Sequence, residues 1–260
     1  MSYRGAGFCG WQIQPEGRTV QGELERALST LLRTPVQVVG AGRTDTGVNA
    51  SHYVAHFDMD AQIPKSFAVN GLDGVLDTVQ LRYKLNAFLP EGIAIQEITP
   101  ASPEFHARFD ARLREYTYFL NRTKSPFSSG WSYYYAYPVL DFDAMNAAAR
   151  HLLGTHDFSC FEKSGGDNKT SICTIFQAGW HEMPAVPGPG MVNTAGQFCF
   201  RIAGDRFLRN MVRAIVGTLL EVGRGKRTPD EFRDLIGSGT RCDAGESVPG
   251  HALFLSRIEY

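Results

Sequence analysis

Three glycines fall within eight residues of this chain, at positions 40, 42 and 47. They come directly after the β-branched run 36–39 that follows Pro35. Such a run ending in glycines reads as a strand that gives way to a tight loop. Glycine lets backbone approach a neighbour closely, or take positive φ, without a Cβ penalty. Between the glycines stand one fixed cation, Arg43, and one carboxylate, Asp45, flanked by Thr44 and Thr46. Two readings of Asp45 stay open on spacing alone. It is a turn residue bonding its own backbone, or it is a reactive carboxylate: nucleophile, acid or base, or metal ligand. Asp45-Thr46-Gly47 is also the tripeptide of aspartic proteases. That reading wants an apolar strand directly before the Asp, and here Arg43-Thr44 intervene.

Around this loop the chain shows the rhythm of an α+β unit. Residues 3–18 form a glycine-rich aromatic loop carrying Phe8, Trp11 and Gln12. With no strand before it, this is not a dinucleotide fingerprint. Thr19 caps a predicted helix to about Arg33, with Val20, Leu24, Ala27, Leu28, Leu31 and Leu32 as its apolar face. Residues 52–58 read as a second strand. Residues 65–86 are ambiguous, 81–89 partly helical and ended by Pro90, and Ile93, Ile95 and Ile98 suggest another strand. The pattern changes near Pro100 and Pro103, dividing the chain into halves at 1–103 and 104–260.

The second half repeats the plan of strands plus a long helix. Strands are expected at 116–120, 179–183, 197–203 and 253–260, the middle two joined across the Pro/Gly segment 184–190. Helices are expected at 141–153 and 207–222, the latter stopped by Gly223. Thr228-Pro229-Asp230-Glu231 is a helix start, with a cap, Pro at the first position and Glu at the third.

Composition narrows the function classes. With 43% hydrophobic and 20% charged residues the chain reads as a globular protein. No apolar run approaches the ~20 residues that span a bilayer, and the opening residues carry no apolar signal core, so a cytoplasmic protein is expected. The five cysteines are scattered without zinc spacing, which fits free thiols in a reducing compartment. His52 and His56 are four apart, but on an expected strand rather than a helix. No metal or cofactor is therefore expected. A net charge of −1 argues against a basic coat, yet arginines cluster locally at 108, 112 and 114 and at 201, 206, 209 and 213, followed by Arg224, Lys226 and Arg227. A nucleic-acid face needs only such local enrichment.

Taken together, the motifs resemble the tRNA pseudouridine synthases of the TruA type. The residues 42–48 resemble that family's catalytic motif. Tyr3-x-Gly5, Gly10-Trp11-Gln12-x-Gln14 and Val20-Gln21 resemble its opening, though a full strand usually precedes the Tyr-x-Gly. Also similar are the stretches 86–90, 105–108, Arg114-x-Tyr116-x-Tyr118, 156–161 and 207–217. The resemblance implies an α+β pseudouridine synthase fold: two halves, each with a mixed, mainly antiparallel sheet and flanking helices, and an active-site cleft between them. It further implies isomerisation of uridines 38, 39 and 40 in the anticodon stem-loop of tRNA by a homodimer.

The site residues follow from the same resemblance. Asp45 becomes the nucleophile, attacking base or ribose, and Arg213 the cation that keeps it ionised. Tyr116 stacks on the base or removes the C5 proton. Arg43 fills the space of the flipped uridine. Phe105, His106, Arg108, Arg114 and Arg209 bind RNA. Without the resemblance, Arg213 is an ordinary solvated helix residue, or a half-buried one by its apolar neighbours Met211, Val212, Ile215 and Val216, and Tyr116 is a core strand tyrosine. A catalytically idle RNA-binding module on the same fold is the other class of function the chain allows.

Overall fold

A computed structural model of the chain describes residues 1–59, 63–69, 75–165, 169–183 and 196–260. Its contacts group into two units, Met1–Ala111 with Tyr260, and Arg112–Glu259.

In the first unit, β1 (Ser2–Tyr3) runs antiparallel between β3 (Asn49–Ala50) and β5 (Ile93–Ala94), while β2 (Val39–Gly40) pairs with β4 (Ala55–His56). Helix α1 (Val20–Leu32) is the expected one. The Thr19 hydroxyl accepts the Gly22 N–H at 3.2 Å, Val20, Leu24, Ala27, Leu28 and Leu32 are buried, and Arg33 ends it at φ 58°. Each large apolar side chain so buried contributes about 1.5–3 kcal/mol. Helix α2 (Thr78–Phe88), capped by Asp77, packs on α1 and buries Leu81 and Leu85.

The strand expected at 36–39 is shorter than its β-branched run. The Val36 N–H donates to the Ser29 hydroxyl and the Val38 N–H to the Glu25 carboxylate, both at 2.9 Å, and Gln21 donates to the Val38 carbonyl. Side chains of α1 thus satisfy backbone groups that a neighbouring strand would otherwise take. Of the strand expected at 52–58, only Ala55–His56 forms.

In the second unit, β6 (Leu113–Asn121), β8 (Gly154–Asp157), β9 (Ile172–Glu182), β10 (Gln197–Gly204) and β11 (Leu253–Glu259) form an antiparallel sheet in the order β11-β6-β10-β9-β8. The short β7 (Tyr133–Tyr134) adds one parallel pairing to the end of β6. Helices α3 (Phe142–Ala149), α4 (Met211–Gly223) and α5 (Pro229–Ser238) pack on one another, and α3 covers β9. Mixed, mainly antiparallel sheets with flanking helices match the expected α+β class. The joining segment 184–190 lies outside the described residues.

Helix α4 is buried on nearly every side, as a helix apolar all round should be. It starts later than its periodicity suggests, because Asn210 takes φ 64° and breaks the run from Phe207. It stops later too: Gly223 is still helical, and Gly225 makes the left-handed turn at φ 70°. Helix α5 carries the full capping box between Thr228 and Glu231.

Candidate active site

Asp45 sits half-buried in the loop between β2 and β3, and exposed Arg43 lies two residues before it. That loop is fixed from beneath by three aromatic rings. Tyr53, 1% exposed, donates its hydroxyl to the Gly42 carbonyl, and its ring lies 4.2 Å from Trp11 and 5.4 Å from Tyr3, centroid to centroid. The Tyr3 hydroxyl shares a buried 2.9 Å hydrogen bond with Thr44 Oγ1, and the Trp11 N–H donates to the Thr44 carbonyl at 3.2 Å.

The amino-terminal glycines supply close approach. A Cβ on Gly10 would strike the Thr44 carbonyl, and one on Gly5 the Val48 carbonyl. The Gly5 N–H donates to Asn49 Oδ1 at 2.8 Å. The turn itself closes through the main chain, Val48 N–H to Asp45 carbonyl at 3.1 Å, with Gly47 at φ 78°. The loop thus turns through its main chain, and Asp45 sits on a scaffold held at many points. A carboxylate positioned so firmly suits nucleophilic or base chemistry.

In the second unit Tyr116 lies half-buried on β6, paired with Ile202 of β10 and Leu255 of β11. Phe207 meets its ring edge-on at 5.2 Å. Arg114 donates from Nη1 to the Asp205 carbonyl at 2.8 Å, and the Asp205 carboxylate accepts the N–H groups of Thr174 and Arg206. Arg114 thus shapes the turn that brings Phe207 to Tyr116. Register shifts in β10 at Ala203/Gly204 and in β11 at Leu255/Arg257 flank this stretch, a common way of re-aiming side chains near a site.

Arg213, in the first turn of α4, is clasped by a strap at 245–249. Its Nε donates to the Val248 carbonyl at 2.8 Å, and the Val248 N–H returns a bond to the Arg213 carbonyl at 3.2 Å. Asn210 Nδ2 donates to Ser247 Oγ at 2.6 Å, and the Gly245 N–H to Thr218 Oγ1 at 2.9 Å. The buried Tyr118 hydroxyl reaches the Pro249 carbonyl at 3.1 Å. Burial, and secondarily Tyr133, raises that phenol well above its ordinary pKa despite the nearby positive charge of Arg213, so it stays a donor. Arg209 is exposed and staples the segment 163–165 through the carbonyls of Ser164 and Gly165.

Phe105, His106 and Arg108 form a further cluster in the first unit, with His56, Phe109 and Tyr260. The His106 ring stacks on Phe109 at 4.2 Å, and Phe105 lies 5.0 Å from Tyr260. Asp45, Arg43 and this cluster belong to the first unit; Arg114, Tyr116, Arg209 and Arg213 belong to the second. Sequence reading missed Tyr53, Asn49, Asn210 and the strap as supports. The concentration of aromatic residues beside the amino-terminal glycines was the one visible hint. No group of His, Cys, Asp or Glu able to hold a metal occurs among the described residues.

The profile of a family described as tRNA pseudouridine synthase matches residues 148–260. The chain is 48% identical over 261 residues to the tRNA pseudouridine synthase A of Parabacteroides distasonis, covering 100% of this chain and 94% of that protein. It is 48% identical to the protein of the same name from Bacteroides thetaiotaomicron, covering 100% and 88%. With that of Bacillus subtilis the identity is 39%, covering 100% and 97%.

Proposed function

The chain belongs to the tRNA pseudouridine synthase A family, and we propose that it converts uridines 38, 39 and 40 of tRNA anticodon stem-loops to pseudouridine, with Asp45 as nucleophile. The reaction is an isomerisation. The bond from ribose C1′ to N1 breaks, the uracil turns, C5 bonds to C1′, the C5 proton leaves and N1 gains one. Asp45 attacks the base or the ribose and is expelled in the later step. The observation that best supports this role is the support of its loop by Tyr3, Gly5, Gly10, Trp11 and Tyr53, which fixes the backbone that carries Asp45 before any substrate arrives.

Arg213 keeps Asp45 ionised, and the strap fixes the plane of its guanidinium through Nε. Tyr116 stacks on the uracil or takes the C5 proton, and Arg43 occupies the place the uridine leaves. Phe105, His106 and Arg108 contact the RNA. Arg114 and Arg209 reach phosphate from β6 and from the turn before α4. Affinity from such contacts falls steeply with salt. The enzyme works in the cytoplasm, a reading supported by five free cysteines, and as a homodimer.

Tritium release from tRNA transcripts carrying 5-tritiated uridine tests the proposal. Release by the unaltered chain and none by Asp45→Asn, with tRNA binding retained, is the expected result. Binding without release by the unaltered chain would instead support the RNA-binding module, and release by Asp45→Asn would remove Asp45 as nucleophile.

A further inference from the structure

We infer that His56 is a positioning residue for the turn 105–109. It holds that turn through an unprotonated Nδ1, so that the turn is set at neutral pH and loosened by acid. The inference rests on the reading of Phe105, His106 and Arg108 as tRNA contacts.

His56 ends β4, and its Nδ1 accepts the Ala107 N–H at 3.1 Å. His106 does the same one step on, its Nδ1 accepting the N–H groups of both Arg108 and Phe109 at 3.2 Å. The two rings lie 5.1 Å apart. A ring nitrogen that accepts an N–H carries a lone pair, so the His56 imidazole must be neutral with its proton on Nε2. Protonating His56 would set one N–H against another. Ala107 is 0% exposed, so its amide has no water to turn to. Its carbonyl meanwhile accepts the Tyr260 hydroxyl at 2.9 Å, which fixes the same residue from its other side.

What this turn displays suits single-stranded RNA. Phe109 is 74% exposed, and the Arg108 guanidinium lies 5.8 Å from its ring, a stacking face beside a cation. The charged neighbours of His56 pull both ways. Burial, and next the His106 ring, lower its pKa, while Asp58 and Asp110 raise it less. The net shift is downward, so the neutral form belongs to the folded state. The stability this gives is present above the unfolded value, about 6.5, and is lost as pH falls through the depressed value.

Ring 15N spectra of labelled protein near neutral pH are expected to show His56 with a bare Nδ1 and a protonated Nε2; a proton on Nδ1 overturns the inference. Steady-state tritium release adds a functional reading. His56→Leu should raise KM for tRNA about fivefold near neutral pH with kcat nearly unchanged, the effect of one lost acceptor. His56→Asn, whose Oδ1 takes the place of Nδ1 without titrating, should restore that KM. It should also show a smaller rise in KM than the unaltered enzyme between about pH 8 and pH 5.5. An unchanged KM in His56→Leu, or an undiminished acid rise in His56→Asn, overturns the inference. No release from the unaltered enzyme would sink the proposed function instead, and the ring spectra then decide the role of His56 alone.

Discussion

Gly217→Ala in the middle of α4 sets two effects of opposite sign against each other. Alanine is the better helix former by about 1 kcal/mol, so propensity alone predicts a more stable protein. The structure predicts the reverse, because a Cβ at this position would run into the Glu246 main-chain carbonyl. That atom belongs to the strap, which has to lift. Four hydrogen bonds join strap and helix: Asn210 to Ser247, Arg213 Nε to the Val248 carbonyl, the Val248 N–H to the Arg213 carbonyl, and the Gly245 N–H to Thr218. At about 0.5–1.5 kcal/mol each, losing two or three costs roughly 2–4 kcal/mol. Net of propensity, stability should fall by about 1–3 kcal/mol, or roughly 5 °C in Tm for a unit of this size. The loss should also appear in chemistry, since Arg213 would no longer be held through Nε. Thermal unfolding followed by circular dichroism gives the first quantity, and the kcat of tritium release the second. A Tm equal to or above that of the unaltered protein would refute the reasoning.

Two further outcomes probe separate parts of the molecule. Tyr53→Phe removes the donor to the Gly42 carbonyl but keeps the ring against Trp11, so it should cost about 1 kcal/mol in urea unfolding and lower kcat more than it alters KM; no change in either would show that the hydroxyl does not set the loop. Burial pushes the Cys160 and Cys173 thiols up to about 12, whereas Cys242 is exposed; iodoacetamide under mildly alkaline conditions should label Cys242 first and the buried pair only after unfolding, as peptide mass mapping would show.

The helices were legible where caps and periodicity agreed, as at Thr19 for α1 and Thr228 for α5. Where they disagreed, periodicity misled. Leu208 continues the apolar stripe of α4, but the left-handed Asn210 separates it from the helix. In β11, Leu253, Leu255 and Ile258 are buried, a spacing broken by the register shift around Ser256, so plain alternation would have set Arg257 inward. The candidate site residues were visible through motif resemblance, and the glycines of the opening loop through their need for close approach. Their supports were not. The bonds from Tyr53 to Gly42, Arg213 to Val248 and Tyr118 to Pro249 all end on main-chain carbonyls, which every residue type carries. Nothing in the side-chain pattern marks such an acceptor in advance.

The strap also dictates an order of events during synthesis. Everything that braces the Asp45 loop from below, from Tyr3 to Tyr53, has been translated before a quarter of the chain exists. The carbonyl that orients Arg213 is added roughly 200 residues later, some 10–40 s at ordinary ribosomal speed. A nascent chain can therefore hold its carboxylate ready while the cation paired with it in our scheme is still unset. Ribosome-stalled chains ending before Glu246 should bind RNA weakly and turn over none, even though they already contain every residue assigned to the chemistry.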